Sequence, residues 1–389
     1  MMDKNYRIAI IHPSMKIRGG SELVVFLIID TLLSAGYLVT LFTSFYNETV
    51  WEKNQELDLF EYGNCHYKKA AEKIAPRLSD YDLIISTNHP TNLILYFAKK
   101  INPFIHAKTL CYCQEPLRRL YLDYTDKHLI MNKSIFARYF SVIIARINRV
   151  FNYILVSRDK RAYSTPDYLY ANSQFTASHL FNIYDREAQV CYPASNVIQE
   201  DEITYQNYFF TISRIEKQKN ILNVIRAVKR LKETGKLLDY KYYIAGKGKY
   251  LSRLKRIIHK WKIDDCIIFL GSITDKERSE FFSNAAFTVF LPLDEPFGLV
   301  CIESLISGKP VICSSHGGVR EIVRDTMDGF CVNETDVESI ASAMSFFISD
   351  KEQAQKMGET GRLSVLQQFS LESFRERFIK IVDNVLSSM

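Results

Sequence analysis

Glycine and proline are scarce in this sequence, 15 and 10 of 389 residues, which excludes a collagen-like or low-complexity chain. An excess of one charge is missing too. The 50 Lys+Arg stand against 44 Asp+Glu, a formal +6, too small a balance to point to nucleic acid. No two of the eight cysteines, at 65, 111, 113, 191, 266, 301, 313 and 331, have the Cys-x2-Cys spacing of a zinc knuckle or thioredoxin-like site. Most sit in apolar runs such as Leu110-Cys111-Tyr112-Cys113, so reduced core thiols in a cytoplasmic chain are expected. The apolar run that follows MMDKNYR stops at His12 and Pro13, too short for a signal peptide, and reads as a buried first strand. With no His-x-x-x-His pair and no carboxylate cluster of metal-ligand spacing, no metal cofactor is expected.

What is present is a globular composition, 47% hydrophobic and 24% charged, of a length that suits two domains. Short apolar, β-rich runs alternate with helical stretches. In the first half they are Arg7–Ile11, Tyr37–Thr43, Leu83–Ser86, Thr109–Tyr112 and Tyr168–Ala171. In the second half they are Tyr208–Ser213, Lys241–Ala245, Ile267–Leu270, Phe287–Phe290, Val311–Cys313 and Phe330–Val332. Continuous apolar runs of this length predict parallel strands buried on both faces, hence an α/β chain of two doubly wound domains. The polar stretch Ala194–Asn207 is the seam, dividing residues 1–199 from 200–370. Residues 371–389 form a terminal amphipathic helix with Phe374, Phe378, Ile381, Val382 and Val385 on one side.

One stretch departs from the alternation. Residues 117–161 hold ten Lys/Arg against three Asp, a net +7. Within them Ile135–Val156 is an aromatic-rich amphipathic pattern whose polar arc includes Arg138, Arg146 and Arg149. Three arginines exclude a spanning helix. Two readings remain, a helix lying in the interface of an anionic membrane and a helical hairpin packed on its own domain.

The richest motif is Asp294–Gly318. Pro296 and Gly298 break the chain after a strand, and a helix opens at Leu299, where free backbone N–H groups and the helix dipole favour a diphosphate. Glu303 lies in the first turns of that helix and can accept hydrogen bonds from a ribose diol; Glu295 precedes it and can reach a sugar hydroxyl. Arg214 and Lys219 follow the strand Tyr208–Ser213, at the strand end where open α/β sheets bind ligands, and can hold a diphosphate. In the first half Arg18-Gly19-Gly20-Ser21-Glu22 opens a helix, with Ser21 as its expected cap. It lacks the full G-x-G-x-x-G pattern, which disfavours a nicotinamide or flavin. Gly246-Lys247-Gly248 is a weaker glycine loop. His89, Gln114 and Glu115 also stand at strand ends. Each of these side chains taken singly also fits a solvated loop or a structural contact.

In combination these residues resemble the retaining glycosyltransferases of family 4, the glycosyl transferases group 1, which include mannosyltransferases. The resemblance rests on Gly19–Glu22, Ala171–Thr176, Arg214 with Lys219, Glu295-x7-Glu303 with Phe297-Gly298-Leu299, Gly317-Gly318 with Glu321, and Asp328-Gly329-Phe330. It implies a GT-B fold, in which two Rossmann-like domains face a central cleft and the final helix returns to the first. It further implies that Arg214 and Lys219 hold the diphosphate of a GDP- or UDP-linked sugar, Glu303 the ribose and Glu295 the sugar. Phe297, Gly298 and Leu299 would offer backbone N–H groups, and Gly19 and Gly20 would close on the phosphates.

The implied activity moves a hexose, mannose favoured, to a glycan or lipid-linked acceptor, with His89, Gln114 and Glu115 on the acceptor side. No cofactor beyond the donor itself is implied. A peripheral position on the inner membrane face follows from the basic insert. Members commonly carry a His in the pattern Tyr-Cys-His-x-Pro, where this chain has Tyr112-Cys113-Gln114-Glu115-Pro116. Gln hydrogen-bonds but carries no proton at neutral pH. A catalytically impaired nucleotide-sugar-binding subunit and a sugar-nucleotide epimerase on the same fold are the competing readings.

Overall fold

The computed structural model describes residues 5–117, 153–195 and 204–388. The chain forms two compact units, residues 1–192 with 375–389, and residues 193–374. The division thus falls at Tyr192 rather than near residue 200. The reason is visible at Ser195, whose hydroxyl donates to Glu303 Oε1 of the second unit at 3.2 Å.

The first unit runs β1 (Arg7–Ile11), α1 (Gly20–Ser34), β2 (Leu38–Thr43), β3 (Asp58–Glu61), α2 (Tyr67–Ile74), β4 (Leu83–Ser86), α3 (Thr91–Ile101), β5 (Lys108–Cys113), β6 (Tyr168–Ala171), α4 (Gln174–Tyr184) and β7 (Gln189–Val190). Its seven strands are parallel, in the order β3-β2-β1-β4-β5-β6-β7. Every residue of β4 is buried, as a strand covered on both faces must be. The sequence pattern misses β3 and β7, which lie at the two edges. Asp58-Leu59-Phe60-Glu61 is only half-buried in its middle, and an edge strand of this kind has no apolar run to read.

The second unit runs β8 (Tyr208–Ile212), α5 (Ile221–Glu233), β9 (Lys241–Ala245), α6 (Leu251–Trp261), β10 (Ile267–Gly271), α7 (Asp275–Asn284), β11 (Phe287–Phe290), α8 (Leu299–Ile306), β12 (Val311–Ser314), β13 (Gly329–Val332), α9 (Val337–Ser349) and α10 (Lys351–Phe369). Its parallel sheet has the order β10-β9-β8-β11-β12-β13. Phe209 stacks on Tyr242 at 4.8 Å and on Phe287 at 5.0 Å between ring centroids, an aromatic row across the three central strands.

The last helix, α11 (Leu371–Ser387), gives its residues from Arg375 onward to the first unit. Phe378, Val382 and Val385 are buried there, with Phe378 edge-on to Tyr112. Arg375 donates to Asp30 at 2.7 Å, and the Tyr37 hydroxyl donates to Asp383.

Of the basic stretch 117–161, residues 118–152, with Arg138, Arg146 and Arg149, lie outside the described residues. That stretch is not the main concentration of positive charge. Residues 226–262 carry thirteen Lys/Arg against two Asp/Glu, and Arg253, Lys255, Arg256 and Lys260 line the exposed side of α6. Scanning for apolar runs passes over them because α6 buries only Leu254 and Ile258.

Candidate active site

In each sheet the strand order reverses once, and open α/β sheets bind ligands beyond the strand carboxyl ends at that reversal. In the second unit the reversal lies between β8 and β11. The loops leaving those two strands carry Arg214–Lys219 and Asp294–Gly298. Leu293 N donates to Gln218 O at 2.8 Å, which ties one loop to the other.

The tie places Lys219 Nζ 2.7 Å from Glu295 Oε2, with 13% and 19% of the two side chains exposed. Lys219 also lies 5.7 Å from the Phe290 ring centroid. Arg214 does not join this pair. It is 64% exposed and lies 3.5 Å from Glu216 of its own loop.

The Glu295 loop is clamped by glycines. Gly318 N donates to Glu295 O at 2.8 Å, and a Cβ on Gly318 would stand 2.0 Å from Pro296 O. Gly298, at φ +108, leads into α8, and its Cβ would strike Val319. Phe297 is buried beside Phe369. Leu299 therefore opens a helix whose first N–H groups have no partner within the helix. Nearby, His316 Nε2 is 3.2 Å from Asp294 Oδ1.

Glu303 differs from the expectation of an open carboxylate. It is 3% exposed, accepts from Ser195, and lies 3.5 Å from Arg278 Nη1. Burial pushes its carboxyl up from the usual range and Arg278 opposes that shift. Sequence reading missed both partners. Arg278 sits in the polar helix α7 with no motif around it, and Ser195 lies in the seam. Among the described residues Arg278 Nε has no hydrogen-bond partner.

Gly246-Lys247-Gly248 proves structural. Ile215 N donates to Lys247 O at 2.9 Å, and Cβ atoms on Gly246 and Gly248 would stand 1.9 Å from Ser213 O and 2.2 Å from Ile215 O. These glycines let the chain press against the Arg214 loop from below. Asp328 is also structural, fully buried and gripped by Arg324 at 2.7 and 2.8 Å.

In the first unit the reversal lies between β1 and β4. Gly19 caps α1, and Ser21 does not cap it. Ser21 Oγ instead accepts from Asn88 Nδ2 at 2.5 Å. Gln114 is buried, its Nε2 donates to Ser21 O at 3.2 Å, and its N–H donates to Asn88 Oδ1 at 3.2 Å. The glycine loop, the β4 loop and the β5 loop are thereby joined. His89 Nδ1 lies 3.7 Å from the buried Asp159, whose other oxygen accepts from Tyr184 at 2.7 Å. Glu115 is exposed. Ser173 of the Ala171–Thr176 motif caps α4, accepting from Thr176 N at 2.9 Å.

An Asp-x-Asp string, Asp80-Tyr81-Asp82, does occur in the chain. Asp82 accepts from Arg7 N at 2.7 Å, which holds it at the amino ends of β1 and β4, away from the site. Among the described residues no group of His, Cys, Asp and Glu is arranged to hold a metal ion, and no helix is long and apolar enough to cross a membrane.

Residues 196–364 match the model of the family described as glycosyl transferases group 1. Over 98% of both chains the protein is 23% identical to the alpha-1,3/1,6-mannosyltransferase ALG2 of Dictyostelium discoideum. Among solved structures it resembles sucrose-phosphate synthase from Thermosynechococcus elongatus, with a TM-score of 0.78 and 16% identity over 99% of this chain and all of that one. It also resembles Anabaena HepE in complex with UDP-glucose, with a TM-score of 0.77 and 15% identity over 98% of this chain and all of that one. The loops that carry the sequence motifs meet at the sheet reversal of the second unit, and the whole chain is similar in sequence to a glycosyltransferase and has the GT-B fold.

Proposed function

We propose that this enzyme transfers a hexose, mannose favoured, from a GDP- or UDP-linked donor to a glycan or lipid-linked acceptor, with retention of anomeric configuration and without a metal ion. The observation that carries the proposal is the Lys219–Glu295 pair at the β8–β11 reversal, beside the first turn of α8. The mannose preference draws on the Dictyostelium relative, a mannosyltransferase by name, and the nucleotide on the UDP-glucose with which the Anabaena protein is complexed.

Lys219 supplies a fixed cation to the diphosphate, whose charge grows as the glycosidic bond breaks, and the N–H groups at the start of α8 add to it. Arg214, on an exposed rim, swings in from Glu216 to the second phosphate. Glu295, held in place by Lys219, accepts from a sugar hydroxyl. Glu303, through Ser195 and Arg278, fixes the base of α8 and takes the ribose. The acceptor hydroxyl attacks from the face the diphosphate leaves, and a diphosphate oxygen takes its proton. The protein then supplies position and charge rather than a nucleophile. Gly19 and Gly20 belong to the donor side of this reading and His89, Gln114 and Glu115 to its acceptor side, on the inner face of a membrane.

Calorimetry with GDP, UDP and their sugar derivatives tests the donor site. Micromolar binding of one nucleotide family, lost in Lys219→Ala while the protein stays folded, is the expected result. Transfer to saccharide and lipid-linked acceptors in EDTA, with the product anomer read by NMR, tests the rest. An inverted product or a strict metal requirement would overturn the mechanism. Failure of every nucleotide to bind folded enzyme would overturn the reading as a whole.

A further inference from the structure

Beyond sugar transfer, the second unit holds a pair of thiols in contact. Cys313 in β12 and Cys331 in β13 are directly opposite in a parallel pairing, and their sulfurs are 3.5 Å apart. Adjacent strands lie about 4.8 Å apart, within the Cα separations that a disulfide spans. Both side chains therefore point to one face of the sheet at bonding reach after a small rotation.

The two thiols are not equivalent. Cys313 is fully buried, whereas Cys331, on the edge strand, is partly exposed. The hydrogen bond from Cys313 and the adjacent Arg320 pull the Cys331 thiol down, while Cys313 is pushed well up by its contact with Cys331 and by burial. A thiolate-prone, partly exposed cysteine beside a protonated, sheltered one is the arrangement of an attacking and a resolving cysteine.

We propose that Cys331 and Cys313 are a peroxide-sensitive modification site that closes to a reversible disulfide. The Cys331 thiolate attacks one oxygen of hydrogen peroxide, forming an S–O bond as the O–O bond breaks and hydroxide leaves. Cys331 is thereby oxidised to the sulfenic acid and the peroxide is reduced. The Cys313 sulfur then attacks the Cys331 sulfur, the S–S bond forms, and the S–O bond breaks. The departing hydroxide and the Cys313 proton leave as water. The sum is two thiols and one peroxide to one disulfide and two waters. Arg320 lies on the turn Gly318–Glu321, so the disulfide withdraws the thiolate that this turn faces.

Folded wild-type enzyme is treated with hydrogen peroxide, alkylated without reductant, and cut with a protease specific for glutamate. Cleavage at Glu303, Glu321 and Glu334 separates Cys301, Cys313 and Cys331 onto different peptides. The expected product is the Cys313 peptide joined to the Cys331 peptide, lighter than their sum by two hydrogens and released by dithiothreitol. In Cys313→Ser the sulfenic acid on Cys331 is expected to accumulate and be trapped by dimedone. The proposal is overturned if both thiols remain alkylatable in the wild type. It is equally overturned if Cys331 proceeds to the sulfinic acid while Cys313 stays free, or if Cys331→Ser leaves Cys313 as readily oxidised as before.

Discussion

Lys219 and Glu295 stand 76 positions apart in sequence and meet at 2.7 Å, so the two loops that carry them present one fixed pair of opposite charges. Lys219→Ala removes the cation at the diphosphate and is expected to lower kcat/KM for sugar transfer about 10²- to 10³-fold. Glu295→Gln keeps the shape and loses the anion, so its defect should fall on sugar selection more than on nucleotide affinity. A double-mutant cycle on donor binding checks the coupling, and strictly additive effects would count against it.

Gly246→Ala forces a side chain onto φ +124 and into the Ser213 carbonyl. A loss of at least about 2 kcal/mol in stability is expected, together with weaker nucleotide binding as the Arg214 loop shifts. Gly235→Ala, at φ +70 but with nothing within 4 Å, is the comparison and should cost about 1 kcal/mol with no effect on binding. Urea melts of the two variants distinguish backbone strain from displacement of the site.

His12 follows β1 and is buried with its Nδ1 2.8 Å from Thr87 Oγ1. Burial, opposed in part by a hydrogen bond with the Ser14 backbone, brings its pKa down to about 3. The unfolded chain therefore takes up the proton first. Its contribution to stability is complete above the ordinary histidine pKa of about 6.5 and is lost as the pH falls toward 3. Between pH 7 and 4 the loss from this residue should be about 3 kcal/mol. His12→Gln should flatten that part of the stability profile, and an unchanged slope would exclude His12 as its source.

Lys309 is fully enclosed at the start of β12, its Nζ donating to Thr204 O and 3.4 Å from the Tyr205 ring centroid. Burial brings its pKa down to about 7. Holding the ammonium here costs stability near neutrality, and the cost shrinks as the pH rises toward the unfolded lysine value. Lys309→Met should stabilise the protein at pH 7, and its advantage over wild type should shrink by about 2 kcal/mol at pH 9. Thermal melts at the two pH values read this directly.

Central strands are legible in this sequence because burial on both faces leaves an uninterrupted apolar run, as in Leu83–Ser86 and Phe287–Phe290. Asp58–Glu61 and Gln189–Val190 are not, because pairing on one side alone asks little of their side chains. Residue types suited to phosphate and sugar are equally visible at 214–219 and 295–303. Their partners are not. Nothing near Arg278 or Ser195 announces Glu303, since those contacts are made by folding across 25 and 108 positions. Gln114 read as a catalytic replacement, yet its amide is turned to the Ser21 carbonyl, a use that no local pattern encodes.

The helix that gives its residues from Arg375 onward to the first unit also sets an order of assembly. Those residues leave the ribosome after all of the second unit. Until then the first unit lacks Phe378 against Tyr112 and the Arg375–Asp30 pair, and the apolar β5 side of that contact waits uncovered. The half of the enzyme made first is thus the last to be finished. A nascent chain arrested before residue 375 should carry a folded second unit beside a first unit that chaperones still recognise.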